Sequence, residues 1–125
     1  MKRKENPTMK TIAKEMSLDQ FAKEMNALNK PFHVWAIYNG VPGADFESSI
    51  NAHKMELWTL PGNDLKQASI TFRDGTGNRI EFSGGCETVK WDDNDTMQCY
   101  YMDTAHATVT IYTPDNKPFE IEVKE

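Results

Sequence analysis

Read for the spacing of its apolar positions, the chain changes period once, at Pro31. Before it, Leu18, Phe21, Ala22, Met25 and Leu28 fall at the i, i+3, i+4, i+7, i+10 spacing of one helical face. Ser17 and Gln20 have the spacing of a capping box, in which each side chain satisfies the other's orphan backbone donor. Pro31 disfavours helical geometry at the residue before it, so the helix stops within Asn29-Lys30-Pro31. Met9, Ile12 and Met16 are out of phase with that stripe and read as a short helical lead-in broken at Ser17.

After Pro31 the period is two. Strands are predicted over 32–38, 52–60, 67–73, 79–83, 87–91, 96–102, 105–112 and 118–124. Turn chemistry separates them: Gly40-Val41-Pro42-Gly43, Pro61-Gly62-Asn63-Asp64, Asp74-Gly75-Thr76-Gly77-Asn78 and Pro114-Asp115-Asn116-Lys117. Gly84-Gly85 permits a bend or bulge, and Ser48-Ser49 reads as loop. Alternation points Ala105, Ala107, Val109 and Ile111 inward, with His106, Thr108, Thr110 and Tyr112 opposite. It likewise turns Ile70, Phe72, Ile80, Phe82, Phe119 and Ile121 inward, and leaves Trp58 among charged neighbours. Short connections between strands favour antiparallel hairpins. The expected fold is α+β: one N-terminal helix packed on a strongly bent antiparallel sheet, a meander of about six to eight strands or a partial barrel.

The 125 residues suit one domain, read as residues 9–125 behind a disordered basic arm at 1–8. Met9 is an alternative start to Met1. An apolar content of 38 % implies a thin core, and no apolar run approaches the ~18 residues of a membrane span. The basic front "MKRKENPTMKTIAKEM" is followed by no apolar stretch, so the reading is cytoplasmic with no membrane partner. Cys86 and Cys99 fit no zinc motif; they are expected to be reduced core residues, although one hairpin would allow them to pair.

Charge is divided along the chain. Residues 1–44 carry a balance of +3 and residues 45–125 a balance of −8. Within the acidic part, "VKWDDNDTMQ" clusters Asp92, Asp93 and Asp95. As a calcium loop it fails, because Met97 stands where an EF-hand needs Gly and the flanks read as strands. It reads first as a hairpin turn. With Glu87 and Asp103 it also reads as one negative surface, since adjacent acids cost stability and serve a cationic partner.

Other chemistry is weaker. His33, His53 and His106 are far apart, and a single acid–base pair, His106 or His53 with Asp103, rests on residue type alone. "DGTGNR" joins strands and opens no helix, so it lacks the amides that cradle phosphate. Trp58, Tyr100 and Tyr112 suggest a base-stacking platform, but the −8 balance opposes direct nucleic-acid binding.

The leading expectation is therefore a non-enzymatic acidic binding or inhibitor protein, with no cofactor or metal, acting on a basic protein partner that itself holds nucleic acid. Its acids are expected to gather into one continuous field, with Glu87, Asp92, Asp93, Asp95 and Asp103 as contacts and Trp58 as hydrophobic anchor. In size and charge the chain resembles small acidic proteins of phages and mobile elements, including anti-CRISPR and anti-restriction proteins. The alternatives are a small-ligand carrier lined by some of its seven Met and thirteen aromatic residues, or a small acid–base enzyme. A monomer or a homodimer fits either class.

Overall fold

Ser17 caps the helix as expected: its Oγ accepts the Gln20 N–H at 3.4 Å and opens α1, Leu18–Leu28. The box is only half made. Gln20 donates instead to Glu24 at 2.9 Å, one turn on, and Ser17 Oγ donates to Asp19 at 2.7 Å. Asn29, at φ 53°, ends the helix in the left-handed conformation and returns its N–H to Asn26. Leu18, Phe21, Ala22 and Met25 are buried and Leu28 is half-buried. This is a computed structural model, and it describes residues 8–38, 46–92, 98–104 and 107–124.

The lead-in is not helical. It forms β1, Thr8–Ile12, and β2, Glu15–Ser17. β1 pairs antiparallel with β11, Glu120–Lys124, and β2 with β8, Thr88–Asp92. A one-turn helix satisfies few of its own backbone groups; two waiting strands satisfy more. The arm expected at 1–8 lies outside the described residues except for Thr8, which opens β1.

Phe32–Tyr38 forms β3 as predicted. The stretch 52–60 does not form one strand. β4, Phe46–Ala52, stops before His53, and β5, Lys54–Trp58, starts after it in a different sheet. His53 N–H donates to Arg73 O at 2.7 Å across that corner. Ser48-Ser49 is thus strand, paired with Ala36 and Trp35. Its loop-like composition yields to a strongly β-forming neighbour, because strand preference is largely set by the partner strand.

β6, Ser69–Arg73, and β7, Arg79–Ser83, complete a three-stranded sheet in the order β5-β6-β7. β9, Cys99–Asp103, and β10, Ala107–Tyr112, complete a six-stranded sheet in the order β2-β8-β9-β10-β3-β4. All pairings are antiparallel, and β1-β11 is a separate ribbon. The class is α+β, but the strands divide among three sheets, the six-stranded one is open, and β10 lies beside β3 where a meander would keep sequence order.

One core joins these layers. The helix and the inner faces of both sheets meet through edge-on ring contacts: Phe21 with Tyr100 at 5.0 Å, and Phe72 with Phe32 and Phe82, each at 6.3 Å. Ile70, Phe72, Ile80 and Phe82 are buried as alternation predicts; Phe119 and Ile121 pack half-buried against the core. Tyr100 is fully buried, and its hydroxyl donates to Ala13 O at 2.7 Å while accepting the Phe119 N–H at 2.8 Å. That one phenol ties the chain before β2 and the chain before β11 to the core. From α1, the Asn26 side chain accepts the Met55 N–H at 2.9 Å and donates to Met55 O at 2.8 Å, acting as a one-residue partner strand for β5.

Candidate functional site

The outward side chains of the six-stranded sheet line up in rows set by strand register. Lys90, Tyr101, Thr110, Trp35 and Ser49 form one row across β8, β9, β10, β3 and β4. Asp103, Thr108, Ile37 and Glu47 form the next. Among the described residues no helix or strand covers this face. Tyr101 and Trp35 are half-buried, while Thr110 between them is only 8 % exposed.

Two concavities meet at Tyr101. A groove of about 540 Å³ is lined by Glu87, Asp103, Lys66, Lys90, Cys86 and Tyr101, among others. A depression of about 300 Å³ on the other side is lined by Asp92, Cys99, Tyr101, Thr108 and Thr110. Gly85 is what lets the groove wall pass close to the chain ahead of β6, since a Cβ there would collide with the Leu65 carbonyl oxygen.

Three expected acids therefore converge: Glu87 and Asp103 in the groove, Asp92 in the depression. Glu87 pairs with Lys66 at 3.3 Å and Lys90 with Glu15 at 4.0 Å, all more than half exposed, so each pair contributes at most ~1 kcal/mol. Asp103 accepts a hydrogen bond from Thr108 Oγ1 at 3.1 Å, and among the described residues no cation pairs with it. Asp93 and Asp95 lie outside the described residues, as do Asn94, Thr96 and Met97 of the tested calcium loop, and His106.

The other acids do not form one continuous field. Glu56 pairs with Lys54 and Arg73, and Glu81 with Arg79. Asp74 is used inside its own turn, accepting from the backbone and side chains of Thr76 and Asn78; these bonds hold its carboxyl down to about 2. Asp64 and Asp115 likewise accept backbone N–H groups of Lys66 and Lys117. Acid count along a sequence says nothing of which carboxylates local turns consume.

Trp58 is 63 % exposed but sits on the outer face of the small sheet, opposite Ser69, and lines neither concavity. The platform of Trp58, Tyr100 and Tyr112 does not exist, because Tyr100 is in the core. The outward aromatic is its neighbour Tyr101. In β9, Cys99, Tyr101 and Asp103 share one face and Tyr100 and Met102 the other, so a one-residue choice of register moves the candidate from surface to core. The alternation of Tyr100-Tyr101-Met102-Asp103 carried that signal.

Both cysteines are free and buried, one at each concavity. Burial pushes the Cys86 thiol up to about 11, with the Asp103 charge adding to it; burial and then Asp92 do the same for Cys99. Both therefore stay protonated near neutrality, the opposite of an activated nucleophile. His33 faces Asn51 with its Nδ1 2.9 Å from Oδ1, and its ring lies 6.0 Å from Tyr112. Among the described residues no three His, Cys, Asp or Glu side chains group as metal ligands, and no helix is long and apolar enough to cross a membrane. No family model, curated protein or solved structure matches the chain.

Proposed function

We propose that the chain is a non-enzymatic binding protein that holds a basic protein partner at the β8–β9 end of its large sheet, as an inhibitor of the phage or mobile-element anti-defence type. The observation that carries this reading is the convergence of Glu87, Asp92 and Asp103 around the half-buried Tyr101. An aromatic centre with a charged rim is the usual composition of a protein contact. The acidic contact is narrower than a field over the whole sheet region: three carboxylates with Tyr101, and without Trp58.

Association kinetics with a basic nucleic-acid-binding protein at low and high salt test it. Rim charges act mainly on encounter, so the on-rate should fall steeply with salt. Glu87→Lys together with Asp103→Lys should slow association at low salt and leave the folded state intact. Binding indifferent to both salt and charge reversal sinks the reading.

The groove favours one second reading, a small-ligand carrier, because about 540 Å³ is within the size range of ligand pockets and Met102 and Cys86 give it an apolar wall. A salt-independent rise in melting temperature with a neutral apolar ligand would select this alternative.

A further inference from the structure

β1 and β11 form a ribbon of two strands that joins neither of the other sheets. Two strands alone are marginally stable in water, and three or more give a sheet that can stand by itself. The ribbon is held at its base, where the Tyr100 hydroxyl accepts the Phe119 N–H and Ile121 packs half-buried on the core. Ala13 N–H donates to Phe119 O at 2.8 Å, which fixes the phase of the ladder. Hydrogen-bonded pairs alternate with unbonded ones, so Ile121 and Val123 direct their backbone groups to Thr11 and Met9. Glu120, Glu122 and Lys124 turn theirs the other way, towards an edge on which no strand of the described residues pairs.

Charge on an edge strand ordinarily blocks pairing. In β11 its order selects one partner instead. Read antiparallel against itself about Glu122, the segment Glu120-Ile121-Glu122-Val123-Lys124 sets Glu120 opposite Lys124 twice and Ile121 opposite Val123 twice, with a single like pair, Glu122 on Glu122. The charged pairs fall at the bonded positions, which are those facing the open edge. The apolar pairs fall at the unbonded positions, where the two backbones come closest. β1 read against itself about Lys10 sets lysine on lysine and offers no opposite charges. We infer that the chain self-associates through β11: two copies related by a two-fold axis at Glu122 form one four-stranded sheet in the order β1-β11-β11-β1. The contact is the same patch on both copies, so it closes at two chains.

Sedimentation equilibrium of the full chain over a range of concentrations tests this. The mass should rise from one chain to two and stop there. Glu120→Lys sets lysine against Lys124 at both ends of the contact and should weaken the dimer roughly tenfold, because two favourable cross-strand pairs become unfavourable. Adding Lys124→Glu reverses both pairs and should restore the dimer. Within the chain these positions stand opposite Ile12 and Thr8, so the swap leaves the ribbon's own charge pairing of Lys10 with Glu122 in place. Glu122→Gln removes the like pair and should tighten the dimer by roughly a few-fold. A single chain at every concentration overturns the inference. A dimer that Glu120→Lys leaves unchanged, or that Lys124→Glu does not rescue, uses another surface and also overturns it. Growth beyond two chains overturns it as well, since β11 would then be adding to β1 of the next copy. None of these outcomes touches the acidic contact at Tyr101, which is read by binding of a basic partner.

Discussion

The small sheet shows solvent Lys54 and Glu56 on β5, Arg73 on β6, and Arg79 and Glu81 on β7. These charges pair with one another across and along the strands. The central strands of the large sheet show Tyr101, Thr108, Thr110, Tyr112, Trp35 and Ile37, with Asp103 at the edge of the set. Both faces are the outward halves of amphipathic strands over the same core, so packing does not explain the contrast. A face whose only task is solvation is well served by paired charges. On the central strands of the large sheet, rings and hydroxyls take the place of paired charges, and the charged Lys90, Asp103 and Glu47 stand only at their margins. On the proposed function, the difference separates strand surface whose charges are already paired from strand surface left for contact.

The contrast assumes that both sheets stand on one core, and Phe72 tests that most severely. Phe72→Ala should lower stability by ~3–5 kcal/mol in urea unfolding, with fluorescence and circular dichroism transitions coinciding. Two separate transitions would show that the sheets fold apart and that their faces cannot be compared as parts of one body. Next in size, Thr110→Glu puts a charge into the neutral face beside Asp92 and should cost about 1–3 kcal/mol. On the small sheet, Arg79→Gln removes the exposed contact to Glu81 and should stay within ~0.5 kcal/mol. Equal costs at the two sites would dissolve the distinction.

The thiols sharpen it kinetically. With Cys86 and Cys99 raised from 9.0 to about 11, thiolate near neutral pH is about a hundredfold scarcer than for an ordinary thiol. Alkylation should be slow in the native protein, accelerate as pH rises towards 11 and become fast in urea. Rapid native labelling of Cys99 would mean that the depression opens more than its geometry shows.

The smallest effect belongs to the tip of the small sheet. Asp74 is held down to about 2 from 3.8, so its stabilising contribution is present above pH ~3.8 and is lost as pH falls through about 2. Asp74→Asn should remove that contribution, lowering the melting temperature slightly above pH ~4 and converging with the parent chain as pH falls through about 2, as read from melting temperature against pH.

Much of this was legible from period alone. β3 and β7 coincide with their predicted spans, and the α1 stripe is the buried stripe, because burial on one face imposes periodicity directly. What escaped depends on partners distant in sequence. β1 and β2 exist because β11 and β8 offer them hydrogen bonds, and β4 exists because β3 does. The break at His53 is a change of sheet, which leaves the alternation of Met55 and Leu57 undisturbed. In the candidate site, Glu87, Asp92 and Asp103 were readable as acids, but their meeting at Tyr101 is a product of the β8-β9 register. Lys66 reaches the groove from a single 3-10 turn that no periodicity announces.

The amide of Asn26 has a consequence beyond holding α1 to the small sheet. β5 is an outer strand of that sheet, and an outer strand with unmet N–H and C=O groups is a template on which another chain can add and begin a fibril. At Met55 both groups are already taken by Asn26, so an incoming strand meets a helix side chain where it needs a hydrogen-bond partner. One side chain thus works as a stopper against polymerisation on the side of the molecule that carries the exposed Trp58 and Leu60.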